Sequence, residues 1–462
     1  MRTEDPDLSR RACGARRERL AKLLGKRPAL IAAGLPRARN YPANLYPFRA
    51  SSHFLYLVGL PLRGAMAVYD GDAFTLYLPE PDPDHVLWEG PAPTFEEIAE
   101  STGCPVRPIG RLAASVRGRA VATLAPPDAA TCFELGRLLN REIRPGVVDV
   151  LDAPLAEAMI ALRLQHDEAA VAELRCAAEA TAAAHRAGMA ATRPGIAAAA
   201  VRAAMEAALM ARGMGCAYPS IVTPHGEILH SERYDLPLEA GDLLLADVGA
   251  ETPGGWAGDV TRTWPVSGRF SPTQRDFYQL VLEAQRRAIA AVGPGTRYRN
   301  VHVLACQTLA AGLVDLGILR GDPIALAADG VVALLFPHGI GHLIGLDVHD
   351  MEDLGDRAGY APGRERAKEF GLRALRLDRD LVPGMAVTIE PGLYQVPSIL
   401  ADPALTKVAG DRLDRKKLAA FADVRGIRIE DDVLVTETGR QVLTDGIPKA
   451  VDAVEAAIGA AG

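Results

Sequence analysis

A chain of 462 residues is too long for one ordinary hydrophobic core, so two domains are the default expectation. Its composition, 49% hydrophobic, 5% aromatic and 24% charged, is that of a globular protein and excludes a disordered one. The net charge of −7 is spread along the chain and argues against nucleic acid as a partner.

The amino end, MRTEDPDLSRRACGARRERL, is charged and lacks the apolar core of about 7–15 residues that a secretory signal needs. No apolar run approaches the roughly 20 residues needed to span a bilayer, so no membrane partner is expected. The six cysteines lie far apart, with no CxxC pair. They read as reduced thiols of a cytoplasmic protein.

In chain order, residues 9–24 read as a short amphipathic helix, and RPALIAAGLP as a strand followed by a turn. YPFRASSHFLYLVGL, with 47–60 at its heart, is aromatic and β-rich. GAMAVYDGDAFTLYLP is a hairpin signal, two alternating apolar runs around Asp70-Gly71-Asp72. Short strands then alternate with helical pieces such as PTFEEIAEST to about residue 150. This is an α/β unit with no catalytic constellation, in which Arg49 and His53 read as a satisfied structural pair.

Near 151–168 the texture changes to Ala-rich helix, LAEAMIALRLQHDEAAVAELRCAAEATAAAHRAGMAAT. The domain boundary is expected around 150–165, giving domains 1–160 and 161–462. That helix ends at Arg193-Pro194-Gly195, and a second one follows. Later the pattern returns. Ser271-Pro272-Thr273-Gln274 is a capping-box start with Pro at the first helical position. That helix ends at Gly293-Pro294-Gly295, and another follows. Two copies of helix, Pro-Gly break, helix indicate an internal duplication, with a site between the halves.

Chemistry gathers in a few segments. Pro337–Asp350 reads PHGIGHLIGLDVHD and holds His338, His342 and His349, three of the chain's ten histidines. Its glycines at 339, 341 and 345 permit a close backbone approach. Alone, the three histidines could equally be packing residues. GDLLLADVGAETPGGWAGDVTRTWPV reads as a hairpin in which Asp247 and Asp259 lie equidistant from Pro253. Centred there, it sets the two carboxylates opposite each other, which is unfavourable unless a cation lies between them. GMAVTIEPGLY ends an apolar strand at Glu390. GIRIEDDVLVT puts Arg428 and Glu430 on one face of a strand, where the arginine could hold a ligating carboxylate ionised and oriented. Four carboxylates and an imidazole carry too much negative charge for one divalent ion and suit two. Hard oxygen donors with one nitrogen favour Mn, Co, Zn or Fe, with manganese the first expectation. Such a pair of ions serves metal-assisted hydrolysis.

The order Asp247, Asp259, His342, Glu390, Glu430 resembles that of the pita-bread metallopeptidases: aminopeptidase P, prolidase and methionine aminopeptidase. HGIGHLIGLDVHD matches the signature of the aminopeptidase P and prolidase branch at every position. The resemblance covers nearly the whole chain. YPFRASSHFLYLVGL is similar to the aminopeptidase P amino-terminal domain, and 165–462 to the catalytic domain. It implies a pita-bread catalytic domain preceded by a smaller α/β domain. It also implies that Asp247 binds one metal, that Asp259 and Glu430 bridge two, and that His342 and Glu390 bind the second. Glu390 would double as proton shuttle, with His349, His338 and His230 donating hydrogen bonds to the reacting peptide. Arg428 would keep its orienting role, and Tyr394 would line the cleft. The activity implied is release of the amino-terminal residue from peptides with proline second, by a homo-oligomer, dimer or tetramer.

Some features depart from the shorter aminopeptidase P pattern. The Asp247-to-Asp259 interval looks one residue longer, and an insertion spans roughly 396–424. GLRALRLDRDLVPGM resembles prolidase, in which an arginine matching Arg376 reads the free carboxylate of a dipeptide. The alternatives are therefore an Xaa-Pro dipeptidase and, remotely, a metal-free pita-bread binding module or creatinase-like enzyme.

Overall fold

Five short apolar strands at the front of the chain pair into one sheet. They are β1 (Ala29–Ala32), β2 (Met66–Tyr69), β3 (Phe74–Leu78), β4 (Val106–Pro108) and β5 (Ala122–Thr123). The order is β4-β3-β2-β1-β5, with β1–β2 and β2–β3 antiparallel and the outer pairs parallel. The structure, a computed structural model, describes residues 6–81 and 86–458. It divides into two units: Met1–Ala169 with Met351–Ala358, and Ala170–Asp350 with Gly359–Gly462. Among the described residues no helix is long and apolar enough to cross a membrane.

In the first unit Leu30, Ala32, Met66, Val68 and Tyr77 pack with Leu112, Val116 and Leu135 into a core. The expected hairpin at Asp70-Gly71-Asp72 forms. The β-rich segment after Pro47 does not form a strand: Ser52–Val58 is a helix, buried throughout and ended by Gly59 in the left-handed region. Tertiary contacts override its β propensity. Arg16 and Arg17, on the helix Pro6–Leu24, donate to the carbonyls of Tyr56 at 3.2 Å and Leu57 at 2.6 Å, so this buried helix end is satisfied. Arg49 and His53 do not pair. Arg49 donates to Ser52 Oγ at 3.0 Å, and His53 lies between Arg163 and Asp353.

The second unit is built twice over. Helices Glu168–Ala191 and Ala198–Met210 flank one Pro-Gly break, and Pro272–Ala291 and Tyr298–Asp315 flank the other. The breaks are held alike. Gly195 N–H donates to Leu238 O and Leu238 N–H to Ile196 O; Gly295 and Leu381 repeat this with Thr296, all four bonds at 2.8 Å. The capping box at Ser271 and Gln274 is present.

The strands of this unit run in chain order. They are β6 (Gly215–Cys216), β7 (Ile221–Thr223), β8 (Leu243–Asp247), β9 (Ala250–Glu251) and β10 (Thr261–Pro265), then β11 (Ala386–Ile389), β12 (Gly392–Tyr394), β13 (Gly426–Arg428), β14 (Asp431–Thr436) and β15 (Gly439–Val442). They form two three-stranded sheets, β10-β8-β7 and β11-β14-β15, and the pairs β12-β13 and β6-β9. The two halves are stitched directly. Glu430 N–H donates to Thr261 O at 3.0 Å, Asp259 N–H to Asp432 Oδ2 at 3.1 Å, and Thr263 Oγ1 to Arg428 O at 3.1 Å.

Two expectations of register are corrected here. Asp247 pairs with Thr261, not with Asp259, so the hairpin is centred on Gly254 rather than Pro253. Thr252 and Trp256 close a three-residue loop, Pro253-Gly254-Gly255, in which Gly255 takes φ +87°. Moving the centre by one residue moves the register by two, so both aspartates stay on one face. The strand expected through Arg428 and Glu430 is broken between β13 and β14, where the backbone passes from one sheet to another. Both side chains still converge on Thr261. The expected insertion at 396–424 holds the short helices Pro397–Ala401, Pro403–Thr406 and Arg415–Ala419. It packs against 318–329 through a Leu319–Leu413 bridge and an Arg412–Asp329 ion pair at 2.6 Å.

Candidate metal centre

The histidine motif has no regular structure, but it runs beside β11. His342 N–H donates to Thr388 Oγ1 at 3.1 Å, Thr388 N–H to His342 O at 3.0 Å, and Glu390 N–H to Ile340 O at 2.8 Å. This pairing brings His342 to Glu390. Gly341 makes it achievable, because a Cβ there would sit 2.3 Å from Thr388 O. From the other half, β8 ends in Asp247 and Asp259 precedes β10, while Glu430, from the same half as β11, lies between β13 and β14.

These segments enclose a cavity of about 160 Å³, all of its walls from the second unit. Every residue given a catalytic, binding or metal role from the sequence lines it except Tyr394. Asp259, His342 and Glu430 each offer a ligand atom, and these atoms lie within 4.8 Å of one another. Glu390 Oε1 is 3.7 Å from His342 Nε2. Asp247 is engaged by Arg428, whose Nη2 donates to Oδ2 at 2.6 Å. The arginine thus meets Asp247 rather than its sequence neighbour Glu430, and it also donates to Thr261 Oγ1 at 2.7 Å and Tyr394 OH at 3.1 Å. Thr261 in turn donates to Glu430 Oε2 at 2.7 Å.

The donor set fits divalent cations. His342 donates its Nδ1–H to Leu343 O at 3.0 Å, which leaves Nε2 aimed inward, 3.3 Å from Asp259 Oδ2. A lone pair facing carboxylate oxygens is repulsive unless a proton or a metal ion stands between. Burial opposes charging His342, but Asp259 and Glu390 outweigh it and lift the imidazole to about 9. Burial and mutual repulsion raise the carboxylates too, Glu430 well above its ordinary range, Glu390 to about 7, and Asp247 despite Arg428. A cation would relieve every one of these shifts.

The outer histidines are placed differently from one another. His338 donates its Nδ1–H to Gly339 O at 2.8 Å and accepts from Tyr394 OH at Nε2 at 2.8 Å. Both ring nitrogens are therefore engaged, and burial with the nearby Arg428 charge holds it neutral, down to about 3. His349 is half-buried, its ring 4.3 Å from that of His342 and nearly edge-on. His230 is exposed at the rim, and Arg376 is half-buried in the wall. Tyr394 stands one layer back, behind His338 and Arg428.

Two residues of the site escaped sequence reasoning. Tyr218 OH is 2.6 Å from an oxygen of both Asp247 and Asp259, and burial beside those carboxylates raises it well above the ordinary range. It lies in an irregular stretch whose pattern carries no signal. Thr261, which links Arg428 to Glu430, could have been found: Asp259, Thr261 and Thr263 alternate on one face in DVTRT.

Known proteins resemble this chain over most of its length. Residues 172–437 match the model of metallopeptidase family M24, and residues 13–121 that of the aminopeptidase P N-terminal domain. A probable Xaa-Pro aminopeptidase of Fusarium vanettenii is 32% identical over 420 residues, 87% of this chain and 85% of that one. The Xaa-Pro dipeptidase of Homo sapiens is 29% identical over 463 residues, 95% of this chain and 92% of that one. Among solved structures, aminopeptidase P from Escherichia coli with the inhibitor Pro-Leu superposes with a TM-score of 0.78 at 28% identity, covering 98% of both chains.

Proposed function

The chain belongs to metallopeptidase family M24, and from that membership we propose that it is an Xaa-Pro aminopeptidase, releasing the amino-terminal residue from peptides with proline in second position. The observation that carries the reading is the inward-facing Nε2 of His342 among buried carboxylates, beside histidines in one cavity. The aminopeptidase named in Fusarium and the Pro-Leu-bound neighbour support the substrate class.

Two divalent ions, manganese the first to test, would be held by Asp247 on one side, His342 and Glu390 on the other, and Asp259 and Glu430 between. Bound there, they supply an activated water and polarise the scissile carbonyl. The chain's own groups do the rest. Arg428 aims Asp247 and favours its ionised form through its 2.6 Å bond. Glu390, within reach of His338 and His342, takes a proton from the attacking water and delivers it to the proline nitrogen. His349 and His230 donate to the reacting peptide, while His338 and Tyr394 brace the wall behind. The chain is read as an aminopeptidase P-type domain, 1–160, before the catalytic domain, 161–462, a division supported by the two stretches that match family models.

A second reading, Xaa-Pro dipeptidase, is favoured by Arg376 in the cavity wall and by similarity to the human dipeptidase. Cleavage of Gly-Pro against Gly-Pro-Pro and longer peptides by the manganese-loaded protein decides. Release of glycine from the longer peptides supports the aminopeptidase. Cleavage confined to Gly-Pro replaces it with the dipeptidase.

A further inference from the structure

Behind the cavity of the second unit lies a buried ion pair that the proposed reaction does not use. β10 carries Thr261 and Arg262 in succession, and the chain enters β14 through Glu430 and Asp431. Thr261 and Glu430 meet on the cavity side, Thr261 Oγ1 donating to Glu430 Oε2 at 2.7 Å. Arg262 and Asp431 meet on the other side, Nη2 donating to Oδ1 at 2.7 Å, and neither lines the cavity. Successive side chains of an extended chain point to opposite faces, so the two pairs stand back to back. Both side chains of the rear pair are 0% exposed.

The rear pair is fixed from every side. Each N–H of the Arg262 guanidinium has an acceptor. Nε donates to Pro448 O at 3.1 Å, Nη1 to Thr261 O at 3.1 Å and to Glu430 O, and Nη2 to Asp431 Oδ1 and to Ile447 O at 3.3 Å. Asp431 Oδ1 also accepts from Thr444 Oγ1 at 2.8 Å, and Oδ2 from Gln285 Nε2 and Lys449 Nζ, both at 2.5 Å. A buried ion pair is a weak source of stability, because well-packed apolar residues of similar volume often do as well. What this pair does is geometric. The guanidinium that meets Asp431 also holds the carbonyls of Thr261 and Glu430, the peptides on which the front pair is mounted.

We propose that Arg262 and Asp431 are positioning residues for Glu430, setting from behind where its carboxylate falls among the metal ligands. Without the charge of Asp431, Arg262 is a buried cation with no counter-ion. It turns from the Glu430 carbonyl, the peptide between residues 430 and 431 follows, and the carboxylate leaves Thr261. The inference rests on the part given to Glu430 in the proposed function, that of a ligand shared by two ions.

The test uses the full chain, stripped of metal and titrated with manganese. Asp431→Asn keeps the shape but turns an amide N–H toward donors, and Arg262→Lys keeps the charge but loses the planar fork. Each should weaken manganese binding roughly 10- to 100-fold, the scale for groups that orient a metal ligand. The magnetic coupling of two manganese ions across a shared carboxylate, read by electron paramagnetic resonance, should fall with it. Glu455→Gln controls for destabilisation alone. Its buried carboxylate takes Arg269 at 2.6 Å and Arg275 at 2.9 Å, and no member of that cluster lines the cavity. It should melt lower yet bind manganese like wild type. Wild-type affinity and coupling in folded Asp431→Asn or Arg262→Lys overturns the inference, as does an equal loss in Glu455→Gln. Should both of those chains fail to fold, Lys449→Met decides, because it removes one donor to Asp431 from a half-buried position. A weaker loss in the same direction supports the inference, and unchanged affinity overturns it. Metal-free crystals of wild type and Asp431→Asn separate the inference from the functional reading. Glu430 Oε2 should lie against Thr261 Oγ1 in the first and apart from it in the second. A retained bond overturns the inference whether or not the wild type binds metal. A displaced carboxylate in a protein whose wild type binds no manganese upholds the positioning and overturns the proposed function instead.

Discussion

His342 and His349 touch ring to ring, yet they should fail in different ways when removed. His342 has its Nδ1 tied to a backbone carbonyl and its Nε2 turned to the carboxylates, so His342→Ala should shed one ion together with activity. His349→Ala should keep its metal and lose about 10²–10³ in turnover, the scale for losing a donor to a developing oxyanion. Metal stoichiometry measured beside steady-state kinetics separates the two, and the reverse pattern would remove the assignment. Asp259→Ala and Glu430→Ala should each lose most metal and activity together. Either one keeping two ions and normal turnover would exclude it as a shared ligand. For Arg376, a charge-assisted bond to a carboxylate is worth about 1.5–3 kcal/mol. If the protein reads dipeptides, Arg376→Ala should weaken their cleavage roughly 10- to 100-fold and spare longer peptides. Equal effects on both would assign the arginine another task.

At the scale of elements, the close backbone packing of the histidine motif on β11 sets where the ligands fall. Gly341→Ala would drive a Cβ into Thr388 O, so the motif must move away and carry His342 with it. The variant should lose metal affinity as well as thermal stability, measured by chelator competition and melting. Unchanged affinity would show that the approach does not position the ligand. Much of this layer was legible in advance. The two Pro-Gly breaks, the capping box at Ser271 and the face shared by Asp247 and Asp259 all follow from local pattern. The hairpin centre was misplaced because Pro253-Gly254-Gly255 offers two adjacent turn centres, and only the positive φ of Gly255 selects one. The helix Ser52–Val58 could not be read from its own residues, because its terminal carbonyls are satisfied by arginines some 40 positions earlier. Tyr218 was hidden for the same reason: its partners Asp247 and Asp259 are 29 and 41 residues away.

Across the whole chain, duplication places one ligand set on each half, and the stitches between residues 259–263 and 428–432 hold them together. Stability should carry a pH signature apart from the metal. His302 is buried near Phe336 and Cys306, and burial together with Arg299 lowers it to about 4. Its folded value lies below its unfolded one, so the unfolded chain takes up the proton first as pH falls. The stability in question is complete above about 6.5 and is lost on the way down to about 4, by on the order of 3 kcal/mol. The stability difference between wild type and His302→Leu should change by that amount between pH 7 and 4; a constant difference would contradict a neutral buried His302. The most direct test of the central claim is titration of metal-stripped protein with manganese while glycine release from Gly-Pro-Pro is followed. Activity should be absent at the start, rise as metal is added, and level off at two equivalents per chain. Full glycine release from the stripped protein in the presence of chelator would contradict the account.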